Sequence, residues 1–345
     1  MTKFSKAKSL AAVAGACVTL FASSSANAYV YAVSRLEIAN LIIGVTNSSG
    51  NPVNVATNYT FNVTDSASFT SGFVTSSQSD TKTCGGNVPN GTTNCNPAGP
   101  EVLGVAVANA PGSVPMRANN DFSFLGTASP GNYSSADASI ATAALVQGIP
   151  TSTKQISESL INGSLQAAAS TTLNSNTTLK LTIVIASGGS NLKLDFDADM
   201  DQRSQIIDVG ATDFSASTTG HVNFLLAKNG GGDFSWSPRG TGAGCLDAIA
   251  GATCTVTADG ENLQAQTGTS DNPSTDSNTT FNTAADFSHF GLRINNLSAG
   301  TYTLVLASDT GTLVSRLPEP ATLALLGIAL AGLGLTTSRR AGKQA

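Results

Sequence analysis

The chain has 345 residues, with 17 Lys+Arg against 22 Asp+Glu, a net charge of −5 and only two histidines. With charged residues at 11%, it lacks the basic stripe that nucleic-acid phosphates or anionic lipid surfaces require, which argues against both as partners. Its 34 glycines, its many Ser, Thr and Val residues and its scarcity of helix formers describe an all-β protein with numerous turns.

At the N-terminus Lys3, Lys6 and Lys8 precede the apolar segment Leu10–Phe21, and Ala26-Asn27-Ala28 supplies a small-x-small cleavage pattern. Residues 1–28 therefore read as a signal-peptide helix, with Ala26 and Ala28 flanking the cleavage before Tyr29. Cys17 lacks the leucine three residues earlier that lipid attachment uses. Removing this segment and a C-terminal tail takes away Lys3, Lys6, Lys8, Arg339, Arg340, Lys343 and Glu319. That leaves 11 basic and 21 acidic residues, a net charge near −10.

Period-two alternation dominates residues 29–316, enough chain for one large sandwich or two smaller ones. Residues 30–45 (VYAVSRLEIANLIIGV) predict one or two strands, and Tyr59–Val63 with Ser68–Thr75 a hairpin. The four cysteines past the signal segment allow three connectivities. Their spacing favours Cys84 with Cys95 and Cys245 with Cys254, each closing a short loop; zinc would call for CxxC spacing or nearby histidines. A strand Val102–Val107 precedes a turn-rich stretch, 110–133, and residues 133–145 suit strand or helix. Residues 154–169 carry helix-like spacing at Ile156, Leu160, Ile161 and Leu165, but the surrounding Ser, Thr and Asn favour a strand. Thr178–Ser187 and Asn191–Met200 flank Gly188-Gly189 and predict a second hairpin. Ile206–Phe214, His221–Ala227, Asp233–Trp236, Thr253–Ala258, Phe287–Ile294 and Thr301–Ser308 continue the sheet, while residues 266–282 read as a polar loop. With no βαβ alternation and no fixed repeat, the expected fold is a two-sheet sandwich of jelly-roll type.

The densest charge is in one strand, where Asp195, Asp197, Asp199 and Asp201 alternate with Leu194, Phe196, Ala198 and Met200. The carboxylates then share one face and the apolar residues point inward. Two readings stand: a solvated acidic face partly offset by Lys193 and Arg203, or a calcium site, although neither EF-hand register fits. No other cofactor is expected. His221 and His289 lie in no HExxH, and no GxSxG is present, so the rim of a sheet is the ordinary place for both. Trp236, the one tryptophan, suits a core position better than a sugar platform.

The tail, 317–345, is LPEPATLALLGIALAGLGLTTSRRAGKQA. Pro318-Glu319-Pro320 ends the preceding structure, an uncharged run Ala321–Leu335 follows, and Arg339, Arg340 and Lys343 close it. As a helix the run is about 22 Å long against a hydrocarbon core of about 30 Å, a transient rather than permanent span. Basic residues stay cytoplasmic, which puts the folded part on the far side.

Motif, apolar segment and arginine pair, in that order, resemble the PEP-CTERM sorting signal of exported bacterial proteins. That resemblance implies export machinery and an exosortase-type membrane peptidase as partners, with cleavage at the motif. Three further segments, Tyr31-Ala32-Val33-Ser34, Asp121–Phe124 and Gly131–Ala138, more loosely resemble a PEP-CTERM subgroup whose acidic EDSA-type signature is missing here. The resulting expectation is an exported, non-catalytic protein of the cell envelope or extracellular matrix. A lectin-like module that meets extracellular polysaccharide and an exported hydrolase are the alternatives.

Overall fold

The computed structural model describes residues 29–53, 56–71, 74–87, 92–93, 101–109, 118, 120–127, 132–142, 150–162, 169–207, 214–242, 244–270, 275–279 and 286–316. The expected signal-peptide helix and C-terminal apolar helix fall outside these residues. Among those described there is no helix, and so none long and apolar enough to cross a membrane. The segments 133–142 and 150–162, ambiguous by spacing, are strands.

Two antiparallel sheets pack face to face as a sandwich. Sheet A runs, in spatial order, β13 (Thr253–Asp259), β16 (Ser288–Leu297), β9 (Ser190–Ile207), β1 (Tyr29–Thr46), β7 (Pro150–Asn162), β6 (Tyr133–Thr142) and β5 (Glu101–Asn109). β15 (Thr275–Thr279) joins it along β9. Sheet B runs β12 (Leu246–Asp247), β11 (Asp233–Trp236), β10 (Phe214–Lys228), β17 (Gly300–Arg316), β8 (Ala169–Ile185), β2 (Ala56–Ser71), β3 (Val74–Asn87) and β4 (Thr92–Thr93). β14 (Gln266–Ser270) pairs with β10.

Three expectations change. Residues 178–200 are no hairpin: β8 pairs with β2 and β17, and β9 with β1 and β16, so the 186–189 turn carries the chain from one sheet to the other. Residues 59–71 form one long strand, and its hairpin partner begins at Val74. The polar stretch 266–282 holds β14 and β15, which extend the two sheets side by side.

Alternation builds the interior. A large apolar cluster includes Leu36, Phe61, Phe196, Trp236, Phe290 and Tyr302; a smaller one gathers Val30, Phe69, Ile206, Phe214 and Val314. Between them runs a buried polar belt. Gln155 Nε2 donates to Ser308 Oγ at 2.8 Å, Ser157 Oγ to the Thr310 carbonyl at 3.1 Å, and Ser159 meets Thr312 at 2.8 Å. Such pairs contribute about 1 kcal/mol each, but a hydroxyl left alone there would cost more. Gly220 lies on this belt: a Cβ would come within 2.7 Å of Met200 Sδ and 2.8 Å of Gln202 Nε2. At one edge a disulfide joins Cys254 of β13 to Cys245 beside β12, with Cα atoms 6.1 Å apart, and so links sheet A to sheet B.

Candidate functional site

The outer face of sheet A concentrates the charge. β1 buries its even-numbered residues Val30 to Ile38 between the sheets and turns Tyr31, Val33, Arg35 and Glu37 outward. Register then sets a cross-strand row of Asp201, Arg35, Ile156 and Asp137, and beside it a row of Arg203, Val33, Glu158 and Ser135. A third row holds Gln205, Tyr31, Leu160 and Tyr133.

Residues 120–127 lie across this face as a strap, and two charged groups hold it. Glu158 accepts hydrogen bonds from the Leu125 amide at 3.0 Å, the Gly126 amide at 2.8 Å, the Tyr31 hydroxyl at 2.6 Å and the Tyr133 hydroxyl at 3.1 Å. The Arg35 guanidinium sits 4.5 Å from the centroid of the Phe124 ring and donates Nε to Asp201 Oδ2 at 3.1 Å, with Nη2 on the same oxygen. Asp199 lies 3.8 Å from Arg35, and Glu37 is held by Lys154 Nζ at 3.0 Å. The Asp121 amide donates to Asp137 Oδ2 at 3.2 Å. The three segments Tyr31–Ser34, Asp121–Phe124 and Gly131–Ala138 therefore meet here, through Tyr31, Phe124, Tyr133 and Asp137.

The four aspartates of β9 share one face, as alternation requires, but it is solvated only in part: Asp197 is partly exposed, while Asp195, Asp199 and Asp201 are buried. Asp199 is 2% exposed and Asp201 0%. Each carboxylate has its own partner: Lys193 for Asp195, Asn40 and His289 for Asp197, the Asp286 amide for Asp199 and Arg35 for Asp201. Arg203 turns instead to Asp276 of β15. Burial, reinforced by the Asp201 charge, pushes the Asp199 carboxyl up to about 6, while the Asn40 and His289 hydrogen bonds lower Asp197. Asn40 reaches Asp197 from a bulge in β1, where its φ of 54° is one that asparagine tolerates. Among the described residues no group of three or more His, Cys, Asp or Glu is arranged to hold a metal ion.

The other candidates lie apart. His289 is directly across from Asp197 on the outer face of sheet A, and His221 directly across from Asp309 on that of sheet B, each 2.8 Å from its carboxylate. Trp236 is 2% exposed and packs 6.2 Å from Phe196 in the core. Cys84 faces inward from β3 in a disulfide whose other half, like Cys95, lies outside the described residues. Ala26, Ala28, Pro318, Glu319, Pro320, Arg339 and Arg340 lie outside them too. Sequence reasoning does not find Arg35 and Glu158; the available signal is charge set among apolar strand residues, Arg35 with Glu37 in VSRLEI and Glu158 alone in ISESLI.

Residues 317–340 match the PEP-CTERM protein-sorting motif. No curated protein matches the chain. Among solved structures, that of the infectious bursal disease virus Gx strain aligns over 93% of this chain and 91% of its own at 12% identity, with a TM-score of 0.07, too low to inform the fold. The chain thus carries an exosortase-type sorting signal and is exported to the cell envelope or exterior.

Proposed function

We propose that the exported sandwich is a non-catalytic surface or extracellular-matrix protein, freed from its tail by cleavage at Pro318-Glu319-Pro320. The observation that carries the export and processing part of this reading is the sorting motif at 317–340. The arrangement of charge is consistent with it. Arg35 and Glu158 hold the strap, and each histidine is engaged by the aspartate across its strand pair. These are contacts that fix a rigid sheet face. Replacing Pro318-Glu319-Pro320 by three alanines tests the reading by cell fractionation. The variant is expected in the membrane fraction with its tail, and release at the wild-type level would overturn the processing step.

A lectin-like reading is favoured by one feature. On the outer face of sheet B, Ser66, Ser68, Ser77, Ser79, Thr172 and Asn174 line an open hollow of about 280 Å³. Its lining side chains are uncharged and combine hydroxyl and amide groups with apolar surface, which suits a neutral polysaccharide strand over an ionic ligand. Retention of the exported protein on neutral polysaccharide, lost in Ser68→Tyr, would favour this alternative.

A further inference from the structure

β2 sends Phe61, Val63, Ala67 and Phe69 into the interior, all at most 2% exposed, and in the middle of this apolar series stands Asp65 at 0%. Its cross-strand neighbours are Ser175 on β8 and Asp80 on β3. Among the described residues neither Asp65 oxygen has a hydrogen-bond partner, and neither does the Ser175 hydroxyl. β2 packs on β5 and β6, where the inward residues of β6 include Ala136 and Ala138, both 0% exposed. Among the described residues the cation on this face of β3 is Lys82, which is exposed and taken up by Asp80. Asp80 is half-exposed and ion-paired with Lys82 at 3.5 Å; Asp137 of β6 faces the other side of its sheet and holds the Asp121 amide; the titratable residue of β5 is Glu101, at its first position. A carboxylate in such a place is several kcal/mol less favourable than the neutral acid, by the usual cost of an unpaired buried charge.

We propose that Asp65 is an internal proton-binding site: it is carried as the neutral acid, and its ionisation loosens β2 and β3 from β5 and β6 in alkaline medium. The electrostatics agree with the geometry. Burial raises the Asp65 carboxyl from 3.8 to about 8; the Ser175 hydroxyl across the strand pair, close by but short of hydrogen-bond geometry, tempers the rise, and the Asp137 and Asp80 charges add to it. Between these two values the folded chain keeps a proton that the unfolded chain has released. Stability therefore falls as pH rises through that window and levels off above about 8. An exported protein meets the pH of its medium without cytoplasmic buffering, so the device responds to the surroundings.

The test is thermal melting of the full exported sandwich from pH 4 to 10, for wild type, Asp65→Asn and Asp65→Val. Between pH 6 and 8, above the range in which Asp199 titrates, the wild-type melting temperature should decline while both variants stay nearly flat, and at pH 9 both should melt several degrees above wild type. Parallel curves for wild type and variants would overturn the proposal. So would calcium chloride raising the melting temperature of wild type alone at pH 9, because a cation would then be the missing partner. If neither variant folds, infrared titration of wild type decides. A carboxylic-acid C=O band at pH 7 that disappears above pH 9 supports the site, and its absence at pH 7 rejects it.

Discussion

Arg35 and Asp199 occupy one cluster and respond in opposite ways to removal of charge. Arg35 is the guanidinium between Asp201 and Asp199, both almost fully buried, so Arg35→Met leaves two carboxylates without their cation. Losing one partner of a buried pair costs about 3–5 kcal/mol, and chemical denaturation should show a loss of that size. Asp199 already carries the Asp201 charge beside it, and its carboxyl is raised to about 6. Because the folded value is raised, ionised Asp199 penalises the native state above about pH 6, and the penalty disappears as pH falls toward the unfolded value of 3.8. Asp199→Asn should therefore raise the melting temperature at pH 7 by about 2 °C, at the usual scale for domains of this size, and change nothing at pH 4. A lower melting temperature at pH 7 would mean that the Asp286 amide requires the full charge.

At the scale of elements, the strap 120–127 is held by its own Phe122, Phe124 and Leu125, which pack on Tyr31, Val33, Tyr133, Ile156 and Leu160, and by Glu158. Two backbone amides and two tyrosine hydroxyls converge on one carboxylate. Glu158→Ala should cost on the order of 3 kcal/mol, since several charge-assisted bonds go at once. Hydrogen exchange should speed up at Leu125 and Gly126 while β17 stays protected; unchanged exchange at those two amides would contradict the strap's dependence on Glu158. What could be read in advance follows the same division. Alternation correctly turned Leu194, Phe196, Ala198 and Met200 inward, because a period of two fixes the face of a strand. It does not fix the sheet. Thr178–Ile185 and Ser190–Met200 alternate equally well as a hairpin or as strands of opposite sheets, and only the packing of β17 and β1 decides between them. Burial of Asp199 and Asp201 is out of reach of a local pattern for a related reason: their partners, the Asp286 amide and Arg35, lie 87 and 166 residues away in the chain.

For the whole molecule, two sheets, two apolar clusters separated by a polar belt, and an edge disulfide make a sandwich suited to life outside the cell. The sorting motif directs it there. The central claim is that export and processing leave this sandwich without its signal segment and tail, and intact mass spectrometry of the exported protein tests it most directly. The predicted species begins at Tyr29, ends near Pro318-Glu319-Pro320 and has its four remaining cysteines oxidised. Recovery of exported protein that still carries Leu323–Leu335 would contradict the account.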